Sequence, residues 1–378
     1  MRRDWALWAV LRAGLVAIVL GWVPWPEQVN DLAIYARWAG ESLSEGGFPD
    51  DPMWQYPPLA GPVFLLGSWL PGELLGFVAL FLAFDAAIMA MLAGQAGRTG
   101  RTGGRRLWAL TPLVTGPLLL ARFDVVPSAL AVAAVLLAAR PGCSGALAAV
   151  GAWLKVWPAL VLAGLRRRDL PRGLAGAVAA SAVIGLAVLA TDDPFGFVGG
   201  QRDRGLQVES VAAWPFLVAR SFGADVTVAY QYGAHEVLAP AVPAAALLSV
   251  LLTAGLLGLV AVQRLRGAIE HLVAADVALA AVLFSVVTSR VFSSQYFIWL
   301  LALGAACLGD PGSRMRRAVT WLVGAGAAAQ LVYPWLYSAL LEGSPVALLA
   351  QTARVGLTVA AAVAAVRVLL SAPDRAGP

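Results

Sequence analysis

The sequence predicts an all-α polytopic membrane protein, on three observations. Hydrophobic residues fill 60% of its 378 positions, charged residues only 13%, and the mean hydropathy is +0.77. Soluble domains carry about 25% charge, so this composition excludes one of this length. Apolar runs of about 17–25 residues recur along the chain, the length at which a helix crosses a bilayer. The period-2 alternation that a membrane β-barrel requires is missing. The expectation is one integral membrane domain over residues 1–378, with about 12 crossings, some of them short. Two large extracytoplasmic loops interrupt it, residues 24–72 with interfacial helices and residues 191–239.

The formal charge of +5 does not point to nucleic acid. The arginines gather in short loops between apolar runs, at 98–106, 166–168, 264–266 and 314–317. That is the bias of cytoplasmic loops. Cys143 and Cys307 make no disulfide frame, and His235 and His271 are too distant in sequence for a local metal motif. Neither a metal nor a cofactor is expected.

Arg2 and Arg3 precede the apolar run 5–23, which Trp22, Pro24, Trp25 and Pro26 follow instead of a small-residue cleavage site. An uncleaved first span with a cytoplasmic N-terminus fits this pattern. Within it, Arg12 could snorkel or face the bundle. Residues 57–70 are too short to span comfortably and read as an interfacial or re-entrant helix, and residues 73–93 return to the cytoplasm. Asp85 then falls near mid-membrane, where an acid faces a cavity or a partner.

Residues 107–121 and 125–139 read as a tight pair joined by Arg122-Phe123-Asp124. As one span, residues 144–165 would place Arg166, Arg167 and Arg168 outside. A break at Lys155-Val156-Trp157-Pro158 restores the charge bias and gives two short helices. Irregular backbone at membrane depth is tolerated where it lines a cavity or is buried in protein, which makes Lys155 cavity-facing.

Residues 174–190 lead out to the second loop, with a short helix at 214–222 and strand-like alternation from 226. Residues 240–262 return, 272–288 go out, and a short helix comes back. Final spans at 318–340 and 345–370 leave the C-terminus cytoplasmic.

This topology brings Asp31, Tyr56, Arg122, Asp124, Lys155, Arg204, Gln207, Glu209, His235, Arg290, Gln295 and Tyr296 to one face of the membrane. A carboxylate there could take a proton from an incoming hydroxyl. Fixed cations could hold a lipid phosphate and offset its charge as it departs, an effect that a low dielectric strengthens. Plainer readings stand beside this one. Asp31 could cap the helix that starts at Leu32, Arg122 could pair with Asp124 across the turn, and Arg204 with Glu209 in the loop. Lys155 could snorkel, His235 could be a polar loop residue, and Tyr56-Pro57-Pro58 needs only a turn and a helix start. One compositional fact favours a task for Lys155. Among 27 lysines and arginines it is the lone lysine, and it sits in an apolar segment.

The motifs NDLAIY (30–35), QYPPL (55–59), ARFDVVPSAL (121–130), RGLQVES (204–210) and SSQYFIWL (293–300), with residues 145–162, occur in an ordered series. In that order the chain resembles the family-87 glycosyltransferases of the C-type membrane superfamily, the polyprenyl-phosphate-mannose-dependent α-mannosyltransferases of actinobacteria. The resemblance implies the C-type fold and an inverting transfer on the extracytoplasmic face of the plasma membrane, from a polyprenyl-phosphate-linked sugar to a glycolipid acceptor. Asp31 would be the catalytic base. Lys155, Arg122, Arg204 and Arg290 would bind the donor phosphate. Tyr56, Asp124, Gln207, Glu209, His235, Gln295 and Tyr296 would contact sugar or acceptor. The same chemistry with arabinofuranose or glucose is an alternative. A lipid transporter or flippase would show inverted repeats and a midplane site, and a structural subunit would leave Asp31 and Lys155 without a task.

Overall fold

In a computed structural model the chain is mostly helical. The structure describes residues 2–26, 30–45, 47–49, 51, 53–69, 72, 74–188, 195–202 and 204–372. Residues 73 and 191, which bound the expected loops and spans, fall outside them. Among the described residues, four helices are long and apolar enough to cross a membrane: Leu75–Thr99, Leu170–Val188, Val242–Leu265 and Pro345–Leu369. Shorter apolar helices fill much of the space between them.

Helix α1 (Arg2–Val19) packs on the bundle, and α2 (Leu32–Glu45) and α3 (Ala60–Trp69) frame the first loop. Helix α4 (Leu75–Thr99) ends at Gly100, whose φ of 73° lets its N–H return to the Ala96 carbonyl. Arg12 faces the bundle and meets Asp85 in a buried ion pair of 2.9 Å. Its guanidinium also donates to the Ala109 and Trp108 carbonyls, and Trp8 Nε1 donates to Asp85 Oδ2. The mid-membrane acid therefore has a partner rather than a cavity.

The stretch expected as one span over 107–121 is divided into α5 (Gly103–Leu110), α6 (Pro112–Thr115) and α7 (Leu118–Ala121). Pro112 and the Gly116-Pro117 pair interrupt its hydrogen-bond ladder. Helix α8 (Val125–Leu136) follows, then α9 (Pro141–Leu154). The chain breaks at Lys155, whose backbone is extended (φ −158°, ψ 126°), and resumes as a 3-10 segment at Trp157–Gly164. Helix α10 (Leu170–Val188) packs closely on α9. A Cβ on Gly145 would lie 1.8 Å from the Gly173 carbonyl, and one on Gly176 2.1 Å from that of Gly142. Small residues here allow the backbones to touch, as membrane helices often do.

The all-helical expectation needs one correction. After α11 (Gly196–Arg202), strands β1 (Leu206–Gln207), β2 (Thr227–Gln231) and β3 (Ala234–Leu238) form an antiparallel sheet in the order β1-β3-β2, with α12 (Trp214–Ser221) between β1 and β2. The register pairs Gln207 with Glu236 and Gln231 with Ala234. Extramembrane backbone must find its own partners, and a hairpin provides them locally.

Helices α13 (Val242–Leu265), α14 (Ala274–Val287) and α15 (Tyr296–Leu308) precede α16 (Arg316–Gln330). A π-helical turn at Leu331–Trp335 around Pro334 separates α16 from α17 (Tyr337–Leu341), dividing the span expected at 318–340. Helix α18 (Pro345–Leu369) closes the chain against α16. The main core lies among α4, α8, α14, α15 and α16, and a smaller one lies beneath the sheet and α17.

The basic loops meet at one end of this bundle. Arg105 pairs with Asp4, Arg264 pairs with Glu270, and Glu270 also accepts the Arg167 N–H. Arg314 reaches Ser371, and Thr99 donates to the Gly309 carbonyl just past the end of α15. Tyr296, at the other end of α15, lines a cavity.

Candidate active site

That cavity, of about 470 Å³, opens where the first loop, the Lys155 break, the sheet and the start of α15 converge. Ten of the twelve candidate residues line it: Asp31, Tyr56, Arg122, Lys155, Arg204, Gln207, Glu209, His235, Gln295 and Tyr296. Asp124 and Arg290 are not on its surface. Asp124 is fully buried directly behind Lys155. Arg290 donates to the Arg204 carbonyl at 2.7 Å, and its own carbonyl accepts the Gln207 N–H.

Asp31 sits just before α2. The Leu32 N–H is taken by the Asn30 side chain, while the Asp31 carboxylate turns to the Arg122 guanidinium. Among the described bonds the Asp31 side chain pairs with Arg122 and does not cap α2. The Arg122–Asp124 pair across the turn does not form either, because both side chains have other partners. Arg122 Nη2 also reaches the Tyr333 hydroxyl at 3.4 Å. Arg122 has an extended backbone at the end of α7, and Asp124 begins α8, so the turn sends the two charges in different directions.

Lys155 Nζ donates to Asp124 Oδ1 at 2.7 Å, and Trp299 Nε1 donates to the same oxygen at 2.6 Å. The rings of Tyr56, Phe123, Tyr296 and Trp299 surround the ammonium at 5.1–5.7 Å. Cation–π attraction acts at this range. Asp124 Oδ2 is buried without a partner among the described residues.

On the other wall, Glu209 accepts from the Ser294 hydroxyl at 2.7 Å and from Gln207 Nε2 at 3.2 Å. Behind it stands Arg354, fully buried on α18, 3.6 Å from the carboxylate. Its guanidinium donates to the carbonyls of Glu209 (2.6 Å) and Phe292 (2.7 Å) and stacks over the Phe292 ring at 4.3 Å. The expected Arg204–Glu209 loop pair does not form: Arg204 donates to the Tyr232 carbonyl instead. Tyr337 places its hydroxyl 3.3 Å from His235 Nδ1.

Burial holds the His235 imidazole below its usual value, so it stays neutral near pH 7. Burial, with the Asp124 charge adding to it, raises the Tyr56 phenol, which remains a neutral hydroxyl.

Sequence reasoning missed Tyr230, Tyr232, Tyr333 and Tyr337 on the cavity wall, and Arg354 and Gln351 behind it. Arg354 and Gln351 carried a usable signal, because polar groups inside an apolar span face the bundle interior.

The arrangement sets one carboxylate among cations at one wall, and hydroxyl, amide and carboxylate groups with aromatic faces at the other. Such a site can hold an anion beside a sugar. Comparison with curated proteins and with solved structures finds no match. A family model, glycosyltransferase family 87, matches residues 54–242, half of the chain, which hold Tyr56, Arg122, Asp124, Lys155 and the 204–209 motif. With its apolar helices and polar cavity, the chain belongs to glycosyltransferase family 87 and is a membrane glycosyltransferase.

Proposed function

We propose that the protein transfers mannose, with inversion, from polyprenyl-phosphate-mannose to a hydroxyl of a glycolipid acceptor. The reaction takes place on the extracytoplasmic face of the bacterial plasma membrane, with both termini cytoplasmic. The observation that carries this reading is the convergence of Asp31, Arg122, Lys155 and Arg204 on one cavity at the bundle end away from the basic loops. Basic loops face the cytoplasm in bacterial membrane proteins, which supports an extracytoplasmic cavity. Nucleotide sugars are cytoplasmic, so the donor there is lipid-linked.

Asp31 takes the proton of the acceptor hydroxyl as that oxygen attacks the anomeric carbon. The bond from that carbon to the phosphate oxygen breaks, and its electron pair leaves with the polyprenyl phosphate. Attack from the face opposite the leaving group inverts the anomeric centre. Arg122, Lys155 and Arg204 offset the charge that develops on the phosphate, and each such contact is worth about 10²–10³ in rate. Without donor, Arg122 neutralises Asp31. A bound phosphate competes for that guanidinium and frees the carboxylate to act as base. Arg290 acts one step behind, holding the Arg204 backbone. Glu209, Gln207, Gln295, Tyr296 and His235 orient hydroxyls of sugar and acceptor. Neither metal nor cofactor takes part.

The test is transfer by purified protein in lipid, wild type beside Asp31→Asn, with polyprenyl-phosphate-mannose and a mixture of glycolipid acceptors. A general base contributes about 10²–10⁴-fold, and a loss of that size in a folded variant is expected. Equal turnover by both proteins overturns the role of Asp31. Transfer only from the arabinofuranosyl or glucosyl donor overturns the choice of mannose.

A further inference from the structure

The peptide that joins Arg204 to Gly205 is gripped at both ends by charged side chains. Arg290 Nη1 donates to its carbonyl at 2.7 Å, and Glu236 Oε2 accepts its N–H at 2.9 Å. Neither Arg204 nor Gly205 lies in a helix or a strand, since α11 ends at Arg202 and β1 begins at Leu206. No regular ladder therefore fixes this peptide, and its two polar groups rely on side chains. Hydrogen bonds to ionised partners are short and strong, and a pair of opposite sign leaves the peptide plane little room to turn.

Glu236 stands on the central strand β3, paired with Gln207 on one side and Ala229 on the other, and is 1% exposed. It is not among the residues that line the cavity. Its Oε1 is buried without a partner among the described residues. Taking a carboxylate out of water is costly unless it is well paired, so packing alone does not account for a glutamate here. Gly205 is fitted to it. A Cβ at 205 would lie 2.8 Å from Glu236 Oε2, although the backbone there lacks the positive φ that favours glycine. The glycine of the RGLQVES motif thus leaves room for a carboxylate to reach the N–H.

Arg204 itself lines the cavity, and its guanidinium donates to the Tyr232 carbonyl at the tip of the hairpin that carries Glu236. Burial works against the Arg204 charge, while the Glu236 carboxylate favours it. The β2–β3 hairpin therefore holds both ends of Arg204, the peptide through Glu236 and the side chain through Tyr232.

We propose that Glu236 is a positioning residue for sugar transfer: with Arg290 it locks the Arg204–Gly205 peptide and so aims the Arg204 guanidinium at the phosphate of the lipid-linked donor. The inference rests on the reading of Arg204 as a phosphate ligand, and it adds a residue that acts without touching substrate.

Two variants separate the bond from the charge. Glu236→Gln and Glu236→Ala both remove the negative charge, and only the first keeps an oxygen for the Gly205 N–H. Full-length protein in lipid nanodiscs is titrated with farnesyl phosphate, a short lipid phosphate, by isothermal titration calorimetry. Arg204→Ala should weaken binding by about tenfold, the scale of one hydrogen bond to a charged group. Glu236→Ala should bind about fivefold more weakly than Glu236→Gln, part of that same contact. The two should bind alike once Arg204→Ala is added to each. Gly205→Ala reads the same loss should Glu236→Ala fail to fold, because its Cβ displaces the carboxylate from the N–H. Equal binding by the two Glu236 variants with Arg204 present overturns the proposal, as does unchanged affinity in Gly205→Ala. A difference that persists without Arg204 also overturns it, since it would mark a role in the fold alone. If Arg204→Ala binds farnesyl phosphate as tightly as wild type, the phosphate role of Arg204 itself falls, and its positioning by Glu236 with it.

Discussion

Lys155 and Asp124 form an ion pair of 2.7 Å closed in by four aromatic rings, so the chain's lone lysine occupies a space shaped for a compact ammonium. Elsewhere the chain uses arginine for every positive side chain other than histidine. A guanidinium is longer and planar and cannot sit among those rings in the same way. Size, rather than charge, explains why arginine does not stand here.

Lys155→Arg should therefore fail although it keeps the charge. Loss of the cation–π and hydrogen-bond geometry is worth about 2 kcal/mol, or roughly thirtyfold in turnover. Steady-state transfer by the variant checks this, and wild-type rates would refute the size argument.

The Arg12–Asp85 pair joins the first helix to α4 well away from the cavity. Asp85→Ala leaves a buried guanidinium unpaired and should destabilise the fold by about 3–5 kcal/mol. Replacing both partners together, as Arg12→Leu with Asp85→Leu, should recover most of that loss. Thermal unfolding in detergent distinguishes the two, and equal melting of single and double variants would contradict a paired role.

Burial depresses the His235 pKa, so the folded state binds this proton less readily than the unfolded chain does. Its contribution to stability is present above the unfolded value, near 6.5, and is lost as pH falls through the lower folded value. Between pH 8 and pH 5 the wild type should lose more melting temperature than His235→Gln. Parallel curves would show that His235 does not contribute.

Arg354 bridges two loop carbonyls that a lysine cannot reach together. Arg354→Lys should cost about 2 kcal/mol of stability, the scale of a charge-assisted hydrogen bond. It should also slow transfer by loosening the Glu209 wall. Hydrogen exchange at residues 206–210 and 292–294 reads the loosening directly, and unchanged protection there would rule it out.

Much of this was legible in the sequence because the relevant signals are local. Lys155 followed by Val-Trp-Pro, together with the arginines at 166–168, marks the chain break where the structure has it. The motifs at 30–35, 121–130 and 204–210 mark the loops that meet. Partner choice was not legible. The sequence puts Arg122 two residues from Asp124, yet the turn between α7 and α8 sends one to Asp31 and the other to Lys155. Proximity along a chain gives no direction to a side chain. The hairpin showed only as alternation, since Tyr232 stands where Asn, Asp or Gly usually begins such a turn. The C-terminal tyrosines reach the cavity only because the Pro334 turn bends the chain there, a long-range outcome of packing.

The place of Arg354 in the chain also has a consequence for biosynthesis. The walls of the cavity are drawn from residues 31 to 341, but the guanidinium that ties two of its loops arrives with α18, after all of them. Membrane chains are built from the N-terminus, so a nascent protein would carry Asp31, the cavity cations and the aromatic cage before that tie exists. The two loops would be tied only as α18 docks, and a chain stopped short of that helix would hold this wall of the cavity loosely.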